Sequence, residues 1–222
     1  MTALIFDCDG VLVDSEPLSV AELGLTLRDA GAAITDQQIF DRMIGRPIAE
    51  IVAIVAAETG ADATPLLPDY RDRLRARFDA ELQPIPGIRD AIRAMPPGPR
   101  AVASSSTLPR LDHCLRLTGL HDLFAPHIFS ATQVARGKPA PDLFLFAAAQ
   151  LNTQPADCIV IEDSIAGVTA AKAAGMRVIG FLGGGHARAA HLADRLPALH
   201  PDAIIASAAE LPETLRAMMA TA

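Results

Sequence analysis

Short apolar runs alternate with amphipathic stretches along most of this chain, with one long exception near its start. The first run, Ala3-Leu4-Ile5-Phe6, stops at Asp7-Cys8-Asp9-Gly10. Four apolar residues bounded by a polar turn are too few for a helix, so the pattern predicts a buried strand with two acids at its carboxyl end. A helix start follows, with Ser15 at the N-cap position and Pro17 in the first turn, and its periodic run reaches about Arg28. Helical spacing continues from Asp36 to Met43, Pro47 to Glu58 and Pro65 to Ala80, punctuated by Gly31, Gly45 and Gly60. No strand pattern interrupts this block. The chain breakers of Leu82-Gln83-Pro84-Ile85-Pro86-Gly87 mark a module boundary.

Beyond that boundary the alternation returns. Strand candidates are Arg100 to Ala103, His127 to Ser130, Cys158 to Ile161, Val178 to Phe181 and Ala203 to Ile205. Helices are predicted at about 107 to 118, 141 to 151, 164 to 174, 186 to 195 and 208 to 219. Strands separated by helices imply a parallel sheet with right-handed crossovers. The expected architecture is an α/β core of residues 1–14 and 82–222, interrupted after its first strand by an alpha-helical insert of residues 15–81.

Composition narrows the function. Half of the 222 residues are hydrophobic, enough for a large core, and the net charge of −7 leaves no footprint for nucleic acid or an anionic membrane. Any anionic substrate must therefore be held by local groups. Cys8, Cys114 and Cys158 are odd in number and lack framework spacing, which points to reduced thiols and a cytoplasmic home. Asp7 and Asp9 break the only apolar run near the N-terminus, and no stretch reaches the roughly 18 apolar residues a membrane span needs. Of the 19 basic residues only Lys138 and Lys172 are lysines. A lysine here is thus informative.

Asp7 and Asp9 would face the crevice at a strand's carboxyl end, where open α/β sheets bind ligands. Two anions this close repel unless a cation joins them, and an all-oxygen ligand set favours Mg²⁺ over zinc. An Asx turn would account for one of these acids but not for both. A second apolar run, Cys158-Ile159-Val160-Ile161, also ends in acids, Glu162-Asp163, and parallel strands would place both pairs on one sheet edge. Ser164 can cap the helix behind them. In Val102-Ala103-Ser104-Ser105-Ser106-Thr107 a third strand end carries hydroxyls before a helix, which suits an anion as well as it suits ordinary capping. Lys138 sits in Gly137-Lys138-Pro139-Ala140-Pro141-Asp142, where the prolines restrict the backbone and an ammonium could neutralise carboxylate and phosphoryl oxygen alike.

Together, Asp-x-Asp-Gly-Val at 7 to 11, Ser104 after a strand, Lys138 in Gly-Lys-Pro-x-Pro-Asp, and Glu162-Asp163-Ser-x-x-Gly resemble the four motifs of the haloacid dehalogenase superfamily, in order and over essentially the whole chain. The insert after the first motif is similar to the helical cap of the subfamily containing phosphoglycolate phosphatases, sugar-phosphate phosphatases and beta-phosphoglucomutase. The resemblance implies a Rossmann-like parallel-sheet core with a helical cap domain inserted after the first strand. It implies phosphoryl transfer in which Asp7 attacks phosphorus to form an aspartyl-phosphate and Asp9 is general acid and base. Mg²⁺ would be held by the Asp7 carboxylate, the Asp9 backbone carbonyl, Asp163 and, directly or through water, Glu162. Ser104, Ser105 and Lys138 would bind the phosphoryl oxygens, and in such relatives the peptide after the motif lysine is often cis, a form that Lys138-Pro139 can adopt cheaply.

The same resemblance implies that the cap selects the substrate. Residues 15–81 contain neither histidine nor lysine, and Ser19 and Ile44 fall about where beta-phosphoglucomutase uses such residues. Phosphonoacetaldehyde hydrolases use a cap lysine, and true haloacid dehalogenases lack the second aspartate that Asp9 represents. The expected reaction is hydrolysis of a small-molecule phosphate monoester, a sugar or sugar-acid phosphate, with a beta-phosphoglucomutase-like phosphomutase as the alternative. Gly45 and Arg46 lie at the turn that in relatives reaches over the active site, so they are candidates for substrate binding. Arg71, Arg73, Arg75 and Arg77 crowd one helix and are expected to form a charged outer face. His186, after Gly183-Gly184-Gly185, is expected to begin a helix. Whether the protein is a monomer or a dimer is left open.

Overall fold

Residues 2–220 are described by a computed structural model. Among them the apolar runs form six strands: β1 (Ala3–Phe6), β2 (Arg100–Ser104), β3 (Ile128–Ser130), β4 (Cys158–Glu162), β5 (Arg177–Phe181) and β6 (Ala203–Ile205). All pairings are parallel, in the order β3-β2-β1-β4-β5-β6. Alternate residues enter two cores. Leu4, Phe6, Val102, Ile159 and Ile161 face one side, and Ala3, Ile5, Ala101, Ala103 and Val160 the other. Because both faces are covered, every residue of β1 and β4 is buried, which is why these strands read as unbroken apolar runs.

Five α-helices lie between β1 and β2: a block of four, α1 (Glu16–Asp29), α2 (Asp36–Arg42), α3 (Ile48–Thr59) and α4 (Leu67–Glu81), and then α5 (Ile88–Ala94). Later come α6 (Leu108–Leu117), α7 (Asp142–Gln150), α8 (Ile165–Ala173), α9 (Leu192–Arg195) and α10 (Leu211–Ala220). Helices α7 and α8 cover one face of the sheet, and α5, α6 and α10 the other. The first four helices share the latter core through residues such as Leu23, Leu27 and Phe78. Both connections to this block run side by side, with Asp14 N donating to Gln83 O and Ile85 N to Leu12 O, each at 2.9 Å. The strand order reverses direction at β1, so the carboxyl ends of β1, β2 and β4 meet at a topological switch point.

The structure differs from the sequence reading in several places. Helix α5 is not among the expected elements, since the chain breakers of residues 82–87 read as a module boundary with no helix before Arg100. Gly87 instead takes a left-handed conformation (φ 75°) that starts a short helix burying Ile88, Ala91 and Ile92. The helix expected over 186 to 195 forms only at Leu192–Arg195. Residues 185–191 are turns, since the His186 side chain points inward and His191 adopts φ 52°. Ser15 occupies the N-cap position of α1 but makes no capping hydrogen bond, its hydroxyl being committed to Asp9.

Candidate active site

The end of β1 delivers the first acid. Asp7 N donates to Ile161 O at 3.0 Å, extending the ladder one residue beyond the strand and holding Asp7 beside the end of β4. There Glu162 and Asp163 follow Ile161, and ligand atoms of Asp7, Glu162 and Asp163 lie within 4.8 Å of one another. All three residues are buried. Gathering three carboxylates away from water is costly unless cations offset them. One is Lys138, whose Nζ donates to Asp7 Oδ1 at 2.8 Å and to Glu162 Oε1 at 2.6 Å, with its side chain only 3% exposed. The ammonium also lies 4.8 Å from the centroid of the Phe144 ring. The Lys138-Pro139 peptide is cis.

Two glycines make this packing possible. A Cβ on Gly10 would stand 1.8 Å from Asp163 Oδ2, and Gly10 has φ 78°. Gly167, in the first turn of α8, would place a Cβ 1.6 Å from Glu162 Oε1. Glu162 is therefore folded over the start of α8, where its Oε2 accepts from Ser164 N at 2.7 Å. Ser164 caps the same helix, accepting from Gly167 N at 2.9 Å. Capping and site geometry come from one six-residue stretch, 162–167.

Burial pushes the Asp7 carboxyl well above the usual carboxylate range, Lys138 opposes this, and Glu162, Asp163 and Asp9 reinforce it. The Lys138 ammonium is held well into its charged form, because Asp7 and Glu162 outweigh burial. Burial likewise raises Asp163, against the hydrogen bond from His186, whose Nε2 is 3.2 Å from Asp163 Oδ2. For His186 burial favours the neutral ring, but Asp163 outweighs it and lifts the imidazole to about 9. The donor set is all oxygen, crowded and short of positive charge, so it fits a hard divalent cation.

Asp9 lies on the cleft side of this cluster. Its Oδ1 accepts from Ser15 Oγ at 2.5 Å and from Arg110 Nη2 at 2.8 Å, and its Oδ2 accepts from Ser106 Oγ at 2.8 Å. Burial resists its ionisation, yet Arg110 and the two hydroxyls prevail and lower its pKa. Ser104 is buried at the end of β2, where its Oγ accepts from Ser106 N at 3.1 Å. Ser105 is exposed and lines the cleft.

That cleft, of about 560 Å³, runs from Asp9, Ser105 and Ser106 to the helical block. Gly45 and Arg46 line its far side, and Gly45 approaches the start of α8 closely enough that a Cβ there would lie 3.8 Å from Ser164 Cβ. Arg46 is exposed and pairs with Glu50 one turn along α3. The four arginines of α4 do not form one outer face. Arg73 and Arg77 turn toward Glu22 on α1, at 3.3 and 3.2 Å, whereas Arg71 and Arg75 line the cleft. The reason is helical geometry: Tyr70, Leu74 and Phe78 are the buried stripe, and positions to either side of it look in different directions.

The sequence reading singled out Asp7, Asp9, Ser104, Ser105, Lys138, Glu162 and Asp163, and these lie at the carboxyl ends of β1, β2 and β4 or in the loop reaching them. It missed Ser15, Ser106 and Arg110 as partners of Asp9. Ser106 precedes the N-cap of α6 and Arg110 lies in its first turn, and both reach Asp9 from there. It also took His186 for a helix start. Nothing local distinguishes a histidine that turns inward from one that does not.

A family model described as haloacid dehalogenase-like hydrolase matches residues 1–175. A 6-phosphogluconate phosphatase from Escherichia coli is 30% identical over 201 residues, covering 90% of this chain and 87% of the relative. Hexitol phosphatase B from the same species is 34% identical over 184 residues, covering 80% and 82%. Among solved structures, a haloacid dehalogenase-like protein of unknown function from Agrobacterium tumefaciens superposes with a TM-score of 0.87 at 37% identity, covering 99% of each chain.

Proposed function

The chain belongs to the haloacid dehalogenase-like hydrolases and is a phosphatase of that kind, and we propose that it hydrolyses the phosphate monoester of a small sugar or sugar acid through Asp7. The observation that carries this reading is the buried cluster of Asp7, Glu162 and Asp163 with one ammonium among them. Residues 15–81 serve as a cap over the cleft, turning on the paired segments at 12–14 and 83–85. The two phosphatases named above act on a phosphorylated sugar acid and on hexitol phosphates by name, which supports the substrate class. A cytoplasmic location is supported by three buried, unbridged cysteines. Among the described residues no helix is long and apolar enough to cross a membrane.

In the first half-reaction an Asp7 oxygen attacks phosphorus, the bond to the sugar oxygen breaks, and Asp9 protonates that oxygen as it leaves. In the second, Asp9 accepts a proton from water, whose oxygen attacks phosphorus and releases Asp7 and inorganic phosphate. The donors on Asp9 favour its ionised form, which suits the second half. The first half needs the protonated form, and Oδ2, held only by the Ser106 hydroxyl, is the oxygen on which that proton would sit. Lys138 holds Asp7 Oδ1 and offsets the repulsion between an attacking carboxylate and a phosphate dianion. Asp7, Glu162, Asp163 and the Asp9 carbonyl would hold Mg²⁺. When bound, that ion supplies further positive charge against the phosphoryl oxygens. Ser104 and Ser105, at the end of β2, would receive those oxygens.

The test is phosphate release from a panel of sugar phosphates, phosphoglycolate and an aryl phosphate, with and without Mg²⁺, for the wild type and Asp7→Asn. Hydrolysis that requires the metal and drops by about 10³-fold or more in the variant is expected. Undiminished turnover by Asp7→Asn would overturn the assignment of the nucleophile.

A further inference from the structure

Arg71 and Arg75 stand one helical turn apart on the cleft wall, and neither has an acidic partner among the described residues. Their neighbours do: Arg73 and Arg77 are paired with Glu22, and Arg46 with Glu50. The acids of α4 leave them unpaired too, Asp79 lying instead 2.8 Å from His113 Nε2. Like charges at this spacing repel by a few tenths of a kcal/mol. An anion between them would reverse that sign.

A third guanidinium belongs to the same wall. Arg110 sits 5.2 Å over the ring of Phe78, which projects from α4 one turn beyond Leu74. Its Nη2 donates to Asp9 Oδ1 at 2.8 Å and to Ser19 Oγ at 3.4 Å. The carboxylates along this cleft do not balance three guanidiniums. Asp9 is held by Arg110, and Glu16 is pushed up to about 7 by burial and the neighbouring Asp9.

We propose that Arg71 and Arg75, with Arg110 between them and the reacting end, bind a second anionic group on the substrate, so that the preferred ester carries a carboxylate or a second phosphate at the end remote from the reacting phosphoryl group. This rests on the phosphatase reading and narrows it. The cleft volume, about 560 Å³, lies within the range of sites for small molecules. A neutral polyol phosphate would leave Arg71 and Arg75 without an anion. Arginine suits the role because its planar fork matches carboxylate and phosphate oxygens.

The experiment compares three esters: 6-phosphogluconate, with a remote carboxylate; fructose 1,6-bisphosphate, with a remote phosphate; and sorbitol 6-phosphate, with a neutral end. kcat/KM is measured for the wild type and for R71Q/R75Q, in which glutamine keeps helix propensity. The same ligands are titrated calorimetrically into Asp7→Asn with and without the double substitution. Charge-assisted contacts of this kind predict that the preference for at least one doubly anionic ester over the neutral one falls by about 10- to 100-fold in R71Q/R75Q. Which ester loses its advantage identifies the carboxylate or the phosphate as the group bound. An unchanged ratio, or a wild type that prefers the neutral ester, overturns the proposal. If the wild type hydrolyses none of the esters, the phosphatase reading fails by itself, and calorimetry decides the subsite: binding that ignores the remote charge overturns it, and binding that loses charge preference in R71Q/R75Q supports it.

Discussion

Gly167 and Glu162 occupy the same space: a Cβ on the glycine would fall 1.6 Å from Oε1 of the glutamate. The carboxylate cannot retreat cheaply, because Lys138 holds Oε1 and the Ser164 amide holds Oε2. A glycine inside a helix ordinarily weakens it relative to alanine, so its presence here follows from the site and not from the helix.

Gly167→Ala is therefore expected to destabilise the protein by about 1 to 3 kcal/mol despite better helix propensity, through displaced hydrogen bonds. Divalent-metal affinity should fall with it. Chemical denaturation and metal titration check this; a variant more stable than wild type with unchanged affinity would show that Glu162 moves aside freely.

Lys138→Met leaves Asp7 and Glu162 facing each other without their shared cation. Breaking a buried ion pair in this way costs about 3 to 5 kcal/mol, less where a carboxyl can take up a proton. In metal-free buffer the midpoint of thermal unfolding should drop by several degrees. Adding Mg²⁺ should raise it further in the variant than in the wild type, since an ion among the carboxylates takes over part of the missing charge. Equal stabilisation of both proteins would separate the ion from this cluster.

Arg110→Gln removes the cation from Asp9 while Ser15 and Ser106 remain. The carboxylate keeps two of its three donors but loses the charged one, and a fall in kcat of about 10- to 100-fold is expected from a misplaced acid-base group. Steady-state kinetics on an aryl phosphate measures it. Unchanged kcat would leave Arg110 without a part in positioning Asp9.

Glu16 contributes a pH slope with a definite sign. Burial, with Asp9 adding to it, raises its carboxyl from 4.5 to about 7, so the folded state holds this proton more tightly than the unfolded chain. Its contribution to stability is complete below about 4.5 and is lost as pH rises through about 7. Glu16→Gln should remove that loss, making the variant more stable relative to wild type at pH 8 than at pH 4.5 by about 1 to 3 kcal/mol, the lower figure reflecting partial contact with solvent. Urea unfolding with chelator present at the two pH values tests this, and a difference that does not change with pH contradicts it.

The sequence by itself determined the sheet and the four acids. Ala3–Phe6 and Cys158–Glu162 are buried on both faces, so apolar run length alone marks them as strands, and the point where each run stops marks where carboxylates emerge. Asp7, Asp9, Glu162 and Asp163 are local in this sense: each follows or ends its strand within a few residues. Lys138 was legible through its rarity and its prolines.

Only the tertiary structure decided which distant side chains meet them. Arg110 reaches Asp9 across 101 residues, and His186 reaches Asp163 because residues 185–191 turn instead of continuing as a helix. The arginines of α4 are identical in type and evenly spaced, so pattern could not say that Arg73 and Arg77 answer Glu22 while Arg71 and Arg75 face the cleft. Periodicity records that a helix has faces, but which face meets which partner depends on how α4 packs on α1 and over the sheet edge. That is a property of the assembled core, carried by no single segment.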